Sequence, residues 1–192
     1  MIMNRFFYLI FLGFILFSLT SSFASEKKNI PLSPSEMDLL EDFMIEIPSH
    51  YIKSHDFKGE LASGESVSLA DFNGKFLILN FWATWCSPCL KEMPDLEKVY
   101  LDLGPKNLVV LAVSMGEGSE RVRKFLKKRQ YSFPVMVDPD MEITRLYGVR
   151  NIPITYLVDP SGVIIGRALG PREWGNQELL QFFRSRMNDE TE

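Results

Sequence analysis

Cysteine and histidine are both scarce in this chain of 192 residues. There are two cysteines, Cys86 and Cys89, and two histidines, His50 and His55, which lie far upstream in a polar stretch. So few ligands do not make a zinc or copper site. A single bridge across so short a loop also does little to constrain the unfolded chain. We therefore expect no metal and no cofactor, histidines at the surface, and a cysteine pair that is chemically reactive.

The chain also lacks a large excess of charge, internal repeats and low-complexity tracts. Its formal net charge is -4, with 46% hydrophobic and 24% charged residues, as in ordinary globular proteins. This balance gives no reason to expect nucleic acid as a partner. The one basic run, residues 121–129, is either a patch for an anionic partner or, as we expect, a solvated helix face.

The only long apolar run is at the N-terminus, and it is short for a membrane span. After Arg5, residues 6–19 carry no charge, and Ser22, Phe23 and Ala24 form a small-x-small pattern. The run of about 14 residues predicts a secretory signal over residues 1–24, cleaved after Ala24. The alternative is an uncleaved anchor that contacts the membrane through residues 6–23. Both place the rest of the protein in the periplasm or on the outer face of the cytoplasmic membrane.

Beyond this segment, apolar runs and helical periodicities alternate over about 130 residues, which predicts an α/β fold around a buried sheet. We expect an extension or linker over 25–54, one domain over 55–187 and a fraying acidic tail over 188–192. Within the domain, the predicted elements are a hairpin over 56–69, strands over 76–82, 108–113, 133–137, 154–158 and 163–168, and helices over 86–103, 119–128, 141–147 and 177–187. A further short helix over 35–45 is capped by Ser33 or Ser35, Ser119 is expected to cap the 119–128 helix, and Pro94 is expected to kink the 86–103 helix.

The cysteine pair lies where a predicted strand turns into a helix. Cys86 therefore falls near the helix N-terminus, where free N–H groups and the helix dipole favour a thiolate. We expect its pKa to lie below the free thiol value of about 8.5. Cys89 is one turn deeper and more shielded. This asymmetry predicts that Cys86 attacks a disulfide of the partner and that Cys89 then resolves the mixed disulfide. The reverse direction would oxidise a dithiol.

Two neighbours of the cysteines bear on this chemistry. Glu92 follows Cys89 by three residues on the same helix face and is a candidate acceptor for the proton of Cys89. The alternative for Glu92 is an ordinary exposed helix charge. Pro88 lies between the thiols, where it limits backbone freedom and supplies no N–H to a thiolate.

Two segments carry a resemblance to a known family. They are residues 81–89 (FWATWCSPC) with the Glu-Met-Pro of 92–94, and residues 148–159 (GVRNIPITYLVD). They resemble the thioredoxin-like superfamily, and within it the exported thiol–disulfide oxidoreductases of the TlpA/ResA type. The resemblance implies a thioredoxin fold, a central mixed β-sheet flanked by helices, here with an N-terminal extension.

The resemblance also implies roles for particular residues. Pro153 would be cis beside the cysteines, and the backbone of Ile152 would pair with a partner peptide as an added strand. Trp85 would be exposed near the docking surface, next to Pro88, and Trp82 more buried. Members of the exported branch carry a glutamate at the place of Glu92, which favours the proton-acceptor role.

Asn80 departs from cytoplasmic thioredoxins, which usually carry an aspartate at this place. The departure removes one proton acceptor. Ile152 is bulkier than the residue that commonly precedes the cis proline.

These residues predict a disulfide reductase of exported proteins. By resemblance, its clients would include apocytochrome c, and a membrane thiol carrier would supply electrons. A disulfide-forming oxidase is the main alternative, although no histidine lies between the cysteines. A peroxiredoxin-type peroxidase needs Thr three residues before the nucleophile, where this chain has Ala83. A copper chaperone of the same fold usually has wider cysteine spacing and a later histidine.

Overall fold

The part of the chain that the structure describes builds one mixed sheet of eight strands. The computed structural model describes residues 32–50 and 52–188, so the predicted signal over 1–24 and most of the acidic tail lie outside the described residues. None of the helices in these two ranges is long and apolar enough to span a membrane. The strand order is β1-β8-β7-β4-β5-β6-β2-β3. The strands are β1 (Ile45–Glu46), β2 (Lys58–Leu61), β3 (Ser66–Ser68), β4 (Phe76–Trp82), β5 (Leu108–Met115), β6 (Val135–Asp138), β7 (Ile154–Val158) and β8 (Ile164–Leu169).

Five helices accompany the sheet within the described ranges. They are α1 (Pro34–Asp42), α2 (Ser87–Leu103), α3 (Ser119–Leu126), α4 (Glu142–Leu146) and α5 (Gln177–Asn188), and a short 3₁₀ turn spans Leu69–Phe72. Strand β4 pairs in parallel with β5 and antiparallel with β7. A mixed sheet flanked by helices is the predicted fold class, and it is confirmed.

The side chains of β4 alternate between two buried clusters, one on each face of the sheet. Phe76, Ile78 and Trp82 pack with apolar residues of α2 and α5. Residues 77, 79 and 81 pack on the opposite face with residues of α4. This alternation places Asn80, which is fully buried, on the α2 face, where it sits beneath the helix that carries the cysteines.

Most predicted elements are present, with shifts at their ends. Helix α1 is capped by Ser33, whose backbone and side chain form a reciprocal capping box with Glu36. The prediction that Ser119 caps α3 is wrong, because Gly118 is the N-cap and makes no side-chain bond. Helix α3 ends at Leu126 rather than 128. The two-residue strand β1 was not predicted, because so short a pairing leaves no alternation in the sequence.

The N-terminal extension is joined to the sheet. Ile45 and Glu46 pair with β8, and Leu40 and Ile45 are fully buried. The guanidinium of Arg172 donates to the carbonyl oxygens of Phe43 and Met44 at 2.8 and 2.7 Å. Residues 34–46 therefore pack as part of the same core, while the domain boundary at residue 55 stays a prediction.

Candidate active site

The two cysteines form a disulfide at the N-terminus of α2. Cys86 is the N-cap residue, and its Sγ accepts from the backbone N–H of Cys89 at 3.2 Å. Cys86 keeps an exposed fraction of 5%, whereas Cys89 has none. The sulfur predicted to attack is thus the one that a partner can approach, and it is held where backbone donors and the helix dipole favour negative charge.

The residues predicted to form the docking surface surround this disulfide. The Ile152–Pro153 peptide bond is cis, and the carbonyl oxygen of Ile152 lies 3.8 Å from Cys86 Sγ. Trp85 is 60% exposed, whereas Trp82 is fully buried. Pro88 is exposed on the first turn of α2 and Pro153 is buried. The two sequence segments, about 65 residues apart, therefore meet at one end of the sheet, as the resemblance implies.

Glu92 is buried beneath the cysteines and is not an exposed helix charge. Its exposed fraction is 2%, and both carboxylate oxygens accept hydrogen bonds. Oε1 accepts from Asn80 Nδ2 at 2.8 Å. Oε2 accepts from the backbone N–H of Arg172 at 3.0 Å and from Trp174 Nε1 at 2.9 Å. Three donors thus orient a carboxylate one helical turn below Cys89.

The environment of Glu92 makes it able to exchange a proton near neutral pH. Burial raises the pKa of Glu92 to about 7, against the opposing effect of the hydrogen bonds from Trp174, Arg172 and Asn80. Desolvation disfavours the charged form more than the three donors favour it, so the net shift is upward and the carboxyl group exchanges its proton near neutral pH. A group with this pKa is suited to accept a proton from a thiol and return it.

Asn80 links Glu92 to the sheet. Its Nδ2 also donates to Thr155 Oγ1 at 2.9 Å, and its Oδ1 has no partner among the described residues. An amide offers a donor on one side and an acceptor on the other. Rotation of the Asn80 amide would therefore present an acceptor to a protonated Glu92. An aspartate here would place a second carboxyl against Glu92.

Arg172 and Trp174 were not predicted from the sequence. They lie in a loop after β8, where no periodicity marks them and no local pattern indicates that this loop folds over α2. The Trp174 side chain is fully buried. The Arg172 side chain bonds to the carbonyls of the N-terminal extension, while its backbone N–H reaches Glu92. The extension therefore holds the loop that supplies two of the three donors to Glu92.

Glu117 was also missed, and it fixes the loop before the cysteines. It is 4% exposed and accepts from the backbone N–H of Thr84 at 2.7 Å and from its hydroxyl. Ser114 Oγ donates to it at 2.8 Å, and Arg121 forms an ion pair with it at 2.7 Å. A lone acid between two glycines, directly after a buried strand, was the available signal.

We expect Trp174→Phe to raise the pKa of Glu92 further, because it removes one donor to the carboxylate and keeps an aromatic ring. The pH midpoint of mixed-disulfide resolution, for which Glu92 is the expected proton acceptor, should then rise by roughly one to two units for the loss of one hydrogen bond to a charged group. The measurement is the pH profile of mixed-disulfide resolution.

Trp82→Phe is the matched control for this variant. Trp82 is equally buried, and its Nε1 has no partner among the described residues. The control loses the same atoms from the core but no donor to Glu92, so its pH midpoint should stay at the wild-type value. Equal midpoints for the Trp174 and Trp82 variants would show that the indole does not act on Glu92.

A disulfide-bonded cysteine pair at a helix N-terminus, a cis proline opposite it and a mixed sheet below define a thioredoxin-like thiol–disulfide oxidoreductase. The AhpC/TSA family matches residues 53–167, and the chain belongs to this family. Proteins of this class act on protein disulfides and carry electrons on the cysteine pair itself, so the Cys86–Cys89 bond is the redox group. No cluster of three potential metal ligands occurs in the described ranges.

Named relatives agree with this assignment. The thiol-disulfide oxidoreductase ResA of Bacillus thuringiensis subsp. konkukian is 38% identical over 121 residues, which cover 63% of this chain and 69% of that protein. ResA of Bacillus subtilis is 36% identical over 110 residues, covering 57% of this chain and 62% of that protein.

Solved structures give the same result. A thiol:disulfide interchange protein of the thioredoxin family from Chlorobium tepidum has a TM-score of 0.62 at 25% identity, covering 73% of this chain and 99% of its own. The pneumococcal exposed lipoprotein thioredoxin Etrx1 from Streptococcus pneumoniae has a TM-score of 0.59 at 33% identity, covering 68% of this chain and 99% of its own.

Proposed function

We propose that the protein works as a reductase of disulfides in exported proteins. The observation that carries this direction is the buried carboxylate of Glu92 one turn below Cys89. Strong oxidases are those whose reduced dithiol form is stabilised. Here a carboxylate opposes negative charge at Cys89, and no histidine lies between the cysteines to stabilise a thiolate. The helix N-terminus favours a thiolate at Cys86, but Glu92 opposes a second charge at Cys89. The reduced form therefore gains less than that of a strong oxidase, and we expect the pair to give its electrons away.

The proposed reaction has two exchange steps. The thiolate of Cys86 attacks one sulfur of the client disulfide, that bond breaks, and the other client sulfur leaves as a thiolate. Cys89 then loses its proton to Glu92 and attacks Cys86 Sγ, which releases the second client sulfur and forms the Cys86–Cys89 bond. Two electrons pass to the client, and each client thiolate takes up a proton from water. A donor dithiol must then reduce the enzyme again.

The docking surface proposed for the client consists of Trp85, Pro88, Ile152 and Pro153. Trp85 offers a large exposed aromatic face, and the carbonyl of Ile152 faces the attacking sulfur. A client strand that pairs with the backbone at Ile152 would bring its disulfide to Cys86. The resemblance supports apocytochrome c as a client and a membrane thiol carrier as the donor.

We also propose export, to the periplasm or the outer face of the cytoplasmic membrane. The support is the signal-like segment over residues 1–24 and a dithiol chemistry that serves disulfide-bearing proteins. A similar solved structure is that of an exposed lipoprotein in Streptococcus pneumoniae.

The reduction potential of the Cys86–Cys89 pair tests the proposed direction. Equilibration with dithiothreitol buffers, read by the fluorescence of Trp85, should give a value near the roughly -270 mV of thioredoxin rather than the roughly -120 mV of DsbA. An Asp102→Asn variant, which neutralises an exposed carboxylate on the same helix, should keep that value. A potential near the oxidase value would overturn the reductase proposal.

A further inference from the structure

The basic segment, residues 121–129, forms a charged surface beside the active site. The chain as a whole carries a net charge of -4, yet this segment holds only cations among its charged residues. Helix α3 buries Val122 against the core, which leaves the charged side chains on the outer face. All six cations are exposed, namely Arg121, Arg123, Lys124, Lys127, Lys128 and Arg129.

Several of these cations have no partner within the protein. Arg121 pairs with Glu117, and Arg123 reaches the carbonyl of Ala62 at 3.5 Å. Within residues 32–50 and 52–188, the side chains of Lys124, Lys127 and Lys128 make no hydrogen bond or ion pair. Their charge is therefore available to a partner.

One row of these cations begins at the active-site loop. Arg121 Nε donates to Thr84 Oγ1 at 3.1 Å, and Thr84 precedes Cys86 by two residues. Lys124 follows Arg121 by three positions on α3, which places it on the same face of the helix, and Lys128 lies in the turn that follows the end of α3 at Leu126. The basic row, defined as Arg121, Lys124 and Lys128, thus leads away from the dithiol, and its first member is fixed to the loop.

We propose that the basic row docks an acidic segment of the client next to the client's disulfide. The inference rests on the proposed function, in which Cys86 attacks that disulfide. A client that reaches Cys86 places its flanking residues on the surface around the dithiol, and the row adds the unpaired charges of Lys124 and Lys128 to that surface. Exposed complementary charges of this kind raise the association rate and select partners more than they add affinity.

An anionic membrane would also be attracted to these lysines, but the geometry favours a client. The row is continuous with the loop that carries Cys86, through the contact between Arg121 and Thr84. A bilayer lying on the row would therefore cover the approach to the dithiol. An acidic peptide segment can occupy the row while its disulfide reaches Cys86.

The test compares two synthetic peptides, each with one intramolecular disulfide. They are identical except that glutamates flank the disulfide in one and glutamines in the other. The rate constant for oxidation of the reduced protein by each peptide is measured by stopped-flow fluorescence. We expect the glutamate peptide to react about 10-fold faster at low ionic strength and the two rates to converge near 1 M salt, where charges are screened. Equal rates at low salt would overturn the proposal.

The variant Lys124→Glu/Lys128→Glu should lose or reverse the preference for the glutamate peptide. Lys75→Glu/Lys106→Glu is the matched control, with the same change in net charge. Lys75 and Lys106 precede the parallel strands β4 and β5, at the opposite end of the sheet from Cys86. The control should keep the preference. If the Lys124/Lys128 variant keeps the preference for the glutamate peptide, that preference arises at another surface and the proposal is overturned.

Two further readouts separate this inference from the proposed function. A small uncharged disulfide should react at the same rate with the wild type, the Lys124/Lys128 variant and the Lys75/Lys106 variant. If it and both peptides fail to react, the proposed function fails together with the docking proposal. If it reacts but no acidic preference is found, only the docking proposal fails. Co-sedimentation with phosphatidylglycerol vesicles that depends on Lys124 and Lys128, without a peptide preference, would assign the row to a membrane and overturn the proposal.

Discussion

Cys86→Ser is expected to abolish disulfide exchange, whereas Cys89→Ser is expected to accumulate a mixed disulfide with the client. Cys86 is the N-cap of α2 and the more accessible sulfur, and Cys89 is fully buried one turn deeper. Without Cys86 no sulfur can attack the client, so the rate should fall by on the order of 10³-fold or more, as for other lost nucleophiles. Without Cys89 the first step proceeds, but nothing releases the client.

Intact mass spectrometry and non-reducing gels measure these outcomes with a peptide disulfide as client. The double variant Cys86→Ser/Cys89→Ser is the control, and it should show neither turnover nor an adduct. Serine keeps the shape of cysteine closely, and the disulfide spans only three positions, so neither single variant should unfold. Equal trapping by the two single variants would refute the assignment of roles.

Glu92→Gln is expected to slow the release of the client by roughly 10²-fold, the usual contribution of a positioned proton acceptor. In the wild type the release rate should rise with pH through about 7, as the carboxyl group loses its proton and becomes able to accept one. The variant should lose this inflection. Single-turnover decay of a preformed mixed disulfide, followed from pH 6 to 9, measures both effects.

The site can accommodate the glutamine. Its carbonyl oxygen can take the place of Oε2 and accept from Arg172 and Trp174, while its amide faces Asn80. Rotation of the Asn80 amide then supplies an acceptor. Asp102→Asn, an exposed change on the same helix, is the matched control and should keep the wild-type profile. Release rates for Glu92→Gln that match the wild type across this pH range would remove Glu92 from the mechanism.

The same variant has an expected effect on stability, with a defined sign. The pKa of Glu92 is raised from 4.5 to about 7 in the folded protein, so the folded state holds this proton more tightly than the unfolded chain. Binding of this proton stabilises the folded state fully below about pH 4.5. The stabilisation is lost as the pH rises through about 7, a change in the free energy of unfolding of about 3 kcal/mol. Urea unfolding at pH 5 and pH 8 should show this loss in the wild type and a smaller one in Glu92→Gln.

The features predicted from the sequence are those that local pattern encodes. An apolar run interrupted only by Asn80 predicted β4, and the placement of Cys86 followed from a strand that turns into a helix. Glu92 was identified by its spacing from Cys89, although only the resemblance favoured a catalytic role over an exposed charge. The burial of Glu92 rules out the exposed charge. That burial depends on the loop after β8, which folds over α2.

The features that were missed arise from contacts between distant parts of the chain. Trp174 meets Glu92 across about 80 positions, and Arg172 meets Phe43 across about 130. Glu117 reaches Thr84 from the loop after β5. Neither periodicity nor spacing encodes such encounters, because they depend on how loops lie once the sheet has formed. These are the contacts that set the proton affinity of Glu92 and the position of the Cys86 loop.

The N-terminal extension has a consequence for self-association. Ile45, Glu46 and Lys53 run along the outer side of β8, and the opposite border of the sheet is β3, a strand of three residues. Long unpaired borders invite other chains to add strands and aggregate, whereas short ones do not. An extended polypeptide therefore finds little backbone to join at either border of the described sheet.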